Sequence, residues 1–196
     1  MVASPTNLTN YMNCLSLFES RTAKLYLDLA DKVELPLVKS FLMEISLDSQ
    51  KHSNLLTGIS KSMPKADFNP KSCAEKVGES WQIVETYAKK VAQKEKITAK
   101  DLPDLMQDLD ALESSMGEEY SLLIQMNTLV VLAGEIENSY SISLDGVKSI
   151  FSGILEDEEH HKEVLVLIRE IIKKKELEMI AEDPLFEYRR IGVPTQ

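Results

Sequence analysis

Apolar residues recur at threes and fours along most of the chain, the spacing of amphipathic helices, and no stretch alternates like a strand. Leu8, Tyr11, Met12, Leu15, Phe18, Leu25, Tyr26, Leu29 and Ala30 predict a first helix over 4–33, with Ser4-Pro5 as cap and first-turn proline. Glu34-Leu35-Pro36 interrupts it. A second helix over 35–60 carries Val38, Phe41, Leu42, Ile45, Leu55 and Leu56. The stretch 62–70 is loop by composition, and Asn69-Pro70 opens a helix over 71–96 with Cys73, Val77, Trp81, Val84 and Val91. Helical patterning resumes near 104 and continues to about 141, with a bend expected at Gly117. Ser143 to Gly146 form the last hinge before a helix over 144–180, which Asp183-Pro184 stops. Short hinges pair the first two and the last two long helices antiparallel, with the 71–96 helix in the crossover between them. The expected fold is all-α: a four-helix bundle over 1–182 (hairpins 4–60 and 104–180), then a tail over 183–196.

Composition agrees with helix. Among 196 residues there are only 7 Gly and 7 Pro, with 43% hydrophobic and 28% charged residues. The net charge of −10 argues against nucleic acid as a partner, because phosphate neutralisation needs clustered Lys and Arg. No apolar run approaches membrane-spanning length, and the start has neither a basic nor an apolar leader segment, so a cytoplasmic protein is expected. Cys14 and Cys73 are the two cysteines. They exclude a zinc ribbon or rubredoxin-type iron centre on ligand count, and they suit reduced, buried thiols, with one disulfide left open.

The candidate chemistry begins with Glu158-x-x-His161 on the last helix, which puts a carboxylate and an imidazole one turn apart on one face. Val38-Lys39-Ser40 recurs as Val147-Lys148-Ser149, an offset of 109 that carries Asp48 onto Asp157 and His52 onto His161. In the earlier copy Ser49 stands where the later one has Glu158. Counting from hinges near 34 and 143 puts Glu19, His52, Glu158 and His161 at one level of the two hairpins. Two carboxylates and two imidazoles would be costly to bury unpaired, and they form a donor set for iron, manganese or zinc. His160, one residue off that face, is expected to be exposed. No Ser or Cys sits in an activated setting for nucleophilic catalysis.

Glu19, followed seven positions on by Tyr26, together with the two hairpins and Glu158-x-x-His161, resembles the ferritin-like, rubrerythrin-type carboxylate proteins. The resemblance covers the bundle but neither the tail nor the crossover helix. It implies a ferritin-like four-helix bundle that binds two metal ions through one Glu from each of two helices and a Glu-x-x-His from each of the others. Glu19, His52, Glu158 and His161 match four of the six ligands, and Tyr26 becomes a hydrogen-bond donor to a ligating carboxylate. Two positions depart from the pattern. Ser49 cannot bridge two ions. On the third long helix the 109 offset lands on Thr128, beside Met126 and Gln125, none acidic.

The metal ligands expected are therefore Glu19, His52, Glu135, Glu158 and His161. Glu135 is preferred as the nearest carboxylate, although it needs a register shift. Glu113, which with Tyr120 repeats the Glu-to-Tyr spacing, is the alternative; using it would end that helix near 128 and leave Leu129 to Leu132 in a loop. Glu44 and Asp48 share a face with His52, and Glu44 and Glu135 are placed to meet in a second acidic layer.

The resemblance implies an iron or manganese oxidase or peroxidase acting on oxygen or peroxide, supplied by an external electron donor, with one or two ions bound and a homodimer expected. Zinc is a further candidate. A binding or storage module with an altered site, and a metal-free bundle for partner binding, are the alternatives.

Overall fold

A computed structural model describes residues 5–98, 101–125 and 128–181. It is all-helical, and the one β-type contact among the described residues is an isolated parallel bridge between Val33 and Ile97. The helices are α1 (Pro5–Lys32), α2 (Pro36–Lys61), α3 (Cys73–Val77), α4 (Glu79–Ala92), α5 (Leu102–Gln125), α6 (Thr128–Tyr140) and α7 (Leu144–Ala181), with a 3-10 turn at Pro70–Ser72. The expected Ser4 cap and the 183–196 tail lie outside the described residues.

The α1–α2 pair forms the most extensive helix contact, and α5–α7 the next. The break between α1 and α2 falls where Pro36, lacking an N–H, is tolerated in a first helical turn. Met12, Leu15, Phe18, Leu25, Tyr26 and Leu29 of α1 bury against Val38, Leu42, Ile45 and Leu56 of α2. Polar rungs fix their register: Ser46 Oγ donates to the Ala23 carbonyl at 2.8 Å, and Ser16 and Ser53 exchange hydroxyl-to-carbonyl bonds at 2.9 and 2.8 Å.

Three features differ from expectation. The crossover helix is two helices, because Gly78 adopts φ +75°, a conformation only glycine enters freely, and so separates α3 from α4. The crossover is bolted to α1. Cys14 and Cys73, expected as reduced thiols, are joined in a disulfide, while Trp81 stacks on Phe18 at 6.2 Å beneath the Arg21 guanidinium. The third long helix is also divided, but α5 runs straight through Gly117, and α6 starts afresh at Thr128.

The division sets the register of the site. A single helix over 104–141 antiparallel to α7 would bring residue 128 level with Glu158. Instead Gly117 faces α7, where a Cβ would meet Leu155, Glu158 and Glu159 side-chain atoms at 3.6–3.8 Å. Arg169 reaches Asp110 at 3.5 Å one end further along. Gly117 thus stands beside Glu158 where residue 128 was expected, a displacement of 11 residues, about 16 Å of helix at 1.5 Å per residue. The apolar run that argued against this register is not a loop: Leu129, Leu132, Ala133 and Ile136 are buried on α6. From α6, Ser139 Oγ reaches the Ser62 carbonyl at the end of α2.

Candidate metal centre

Four helices each present ionisable side chains to one buried layer. Glu19 (α1), His52 (α2), Glu113 (α5), and Glu158 and His161 (α7) are all at most 2% exposed. They reach the same place because each lies on the apolar stripe of its helix, flanked by core residues such as Phe18, Leu56, Leu112 and Leu165.

The donors fall into two sets of three, Glu19–His52–Glu158 and Glu113–Glu158–His161, each with ligand atoms within 4.8 Å of one another. Glu158 belongs to both. His52 Nδ1 lies 3.1 Å from Glu158 Oε1 and 3.7 Å from Glu19 Oε1, yet it makes no hydrogen bond. His161 Nδ1 lies 3.0 Å from Glu113 Oε2 and 3.8 Å from Glu158 Oε2. Both imidazoles therefore turn the same nitrogen toward the carboxylates.

Their outward nitrogens face aspartates of the opposite helix. His52 Nε2 is 2.9 Å from Asp157 Oδ2, and His161 Nε2 is 3.6 Å from Asp48 Oδ2, beyond hydrogen-bond length. Lys51 ties the two aspartates together, 2.7 Å from each. The tyrosines cross over in the same way. Tyr26 Oη donates to Glu113 Oε1, and Tyr120 Oη donates to Glu19 Oε1. Burial, reinforced by the carboxylate each one faces, pushes both phenols far above their ordinary range, so they stay protonated donors.

Charge is concentrated here away from the molecular surface. Burial pushes the Glu158 carboxyl up to about 8, with the Glu113 and Glu19 charges adding to the shift. Burial opposes charge on the imidazoles, but the carboxylates outweigh it: Glu158 and Glu19 raise His52 to about 10, and Glu113 and Glu158 raise His161 to about 11. Glu113 also resists burial and is held below the usual carboxylate range, chiefly by His161.

The carboxylate expected on the third long helix, Glu135, is not the one the structure brings to the cluster. Glu135 is half-buried on α6 and belongs to neither donor set, whereas Glu113 stands among the ligand atoms. The same spacing that pairs Glu19 with Tyr26 pairs Glu113 with Tyr120, and it is the sequence signal for the carboxylate that joins the cluster. The second acidic layer does not form: Glu44 is exposed and faces the exposed His160 at 3.3 Å. Ser49 is 1% exposed and donates to the Ile45 carbonyl at 3.0 Å, so it lies inside but turns its hydroxyl back to its own helix.

The residues present fit a metal pair. The donors are hard oxygens and imidazole nitrogens, and His52 Nδ1 is a buried nitrogen with no hydrogen bond, facing two carboxylates. No family model, curated protein or solved structure matches the chain.

Proposed function

We propose that the protein is a ferritin-like dinuclear metal protein of the rubrerythrin type, holding two iron or manganese ions and acting on oxygen or peroxide. The observation that carries this reading is the sharing of Glu158 between two separate three-donor sets. One ion would take Glu19, His52 and Glu158, and the other Glu113, His161 and Glu158. A pair of redox-active ions supplies electrons two at a time to oxygen or peroxide when bound.

The chain's own residues do the rest. Asp157 holds His52 with Nδ1 turned inward, and such outer partners typically set metal affinity by about 10–100-fold. Tyr26 and Tyr120 donate to Glu113 and Glu19 and so hold those carboxylates in orientation. The apolar wall formed by Phe18, Leu56, Leu112, Phe151 and Leu165 keeps bulk water out. Electrons would come from an external donor, since neither cysteine is available for a second iron centre. The Cys14–Cys73 bridge suits an oxidising setting better than the reducing cytoplasm expected from sequence.

Metal storage or sensing without turnover is the second reading, and Ser49, which cannot bridge two ions, is the observation in its favour. Elemental mass spectrometry of the purified protein should find two ions per chain, lost in Glu158→Ala and reduced in His161→Ala; full retention in both variants would refute a metal site here. Rapid peroxide oxidation of the reduced, iron-loaded protein is the expected result for an enzyme, and its absence assigns the protein to storage.

A further inference from the structure

None of the five clustered side chains is more than 2% exposed, so the layer can be filled only along a path between helices. The side between α1 and α5 is closed. Tyr26 of α1 and Tyr120 of α5, both fully buried, bond across it, and α4 packs over both helices. The opposite side is different. There α2 packs against α7 far less extensively than it packs against α1, and charged side chains line the seam. Their exposure falls inward. The Glu44 and His160 side chains are 46% and 51% exposed, those of Asp48 and Asp157 are 25% and 31%, and those of His52 and His161 are 0%.

We propose, on the dinuclear reading above, that ions reach the buried layer through the α2–α7 seam and that Lys51 is the latch on that route. Its ammonium lies 2.7 Å from both Asp48 and Asp157, the place where an incoming cation would first meet two carboxylates. His161 Nε2 points into the same place. It is buried, makes no hydrogen bond, and stands 3.6 Å from Asp48 Oδ2. Further out, Glu44 and Glu163 flank His160, so four carboxylates of the seam face the single ammonium of Lys51. That surplus of negative charge draws cations to the mouth even with the latch in place. Lys51 also has room to leave, since with Asn54 and Leu55 it lines a surface groove of about 550 Å³.

Stopped-flow absorption of cobalt(II) uptake is the test, with release into excess chelator and final metal content measured on the same samples. Lys51→Met removes both ion pairs and should take up and release cobalt about tenfold faster than wild type, with the final ion count unchanged. Lys51→Arg, which can still span the two aspartates, should keep the wild-type rates. Glu44→Lys puts a cation at the mouth and should slow uptake about tenfold at low salt. Glu137→Lys, the same charge change at an exposed position of α6, should not. Unchanged rates in Lys51→Met overturn the latch, and so does faster uptake with slower release, the result of merely deleting a repelling charge. Equal slowing by Glu44→Lys and Glu137→Lys overturns the seam as the route. Either result leaves the metal reading intact, whereas a chain that takes up no cobalt overturns both.

Discussion

Glu113 and Glu135 are both acidic residues of the stretch between the crossover and the last hinge, but only Glu113 lies among the clustered donors. Glu113 Oε2 stands 3.0 Å from His161 Nδ1 and its other oxygen accepts from Tyr26, whereas Glu135 sits half-buried on a different helix. Glu113→Ala should therefore cost the protein at least one ion per chain, and Glu135→Ala none, both by elemental analysis. Asp157→Asn tests the support around the ligands. It keeps the shape but weakens the acceptor that orients His52, so metal affinity should fall about 10–100-fold with the fold retained, read by calorimetric titration. Unchanged affinity would mean that the imidazole is held by packing alone.

At the scale of elements, the two hairpins are the same device built with connectors of different length. From Glu19 to His52 is 33 residues and from Glu113 to His161 is 48, and the additional 15 are essentially α6 and its joints. A single offset of 109 relates α2 to α7, but the offset from α1 to α5 is 94. Carrying 109 onto the first helix therefore lands on Thr128 and misses Glu113. Helical periodicity revealed most of the long helices, the break at Glu34–Pro36 and the buried Glu and His positions on α1, α2 and α7, because a stripe of apolar positions shows in the residues themselves. It did not reveal where one apolar stretch stops being one helix. Leu129 to Leu132 are as apolar as a core segment, and only tertiary packing decides that they belong to a separate helix, α6, instead of prolonging α5. Disulfide pairing was hidden for the same reason, since 59 residues separate two cysteines that meet only through docking of the crossover on α1. That bridge closes a long loop, and removing it by Cys14→Ser/Cys73→Ser should lower unfolding free energy by about 2–4 kcal/mol in denaturant titrations. The wild-type protein, denatured without reductant, should show no free thiol.

For the molecule as a whole, the metal-free state is dominated by protons. His52 and His161 are raised from the ordinary histidine value to about 10 and 11, and Glu158 from the ordinary carboxylate value to about 8. All three groups hold protons more tightly folded than unfolded. Their contribution to stability is present in full below the unfolded values of 4.5 for the carboxyl and 6.5 for the imidazoles, and it is lost as pH rises through the folded ones. The melting temperature of the chelator-treated protein should accordingly fall between pH 7 and pH 10, whereas a rise would contradict these protonation states. Since ions displace the same protons, metal uptake at neutral pH should release protons and strengthen as pH rises, measurable by calorimetry in buffers of different ionisation enthalpy. All of this depends on Glu158 joining two ion positions in one buried layer. Anomalous diffraction from manganese- or iron-loaded crystals tests that directly. Two peaks per chain should appear, both ligated by Glu158, one beside Glu19 and His52 and the other beside Glu113 and His161. Peaks elsewhere, or no peak within coordinating distance of Glu158, would contradict it.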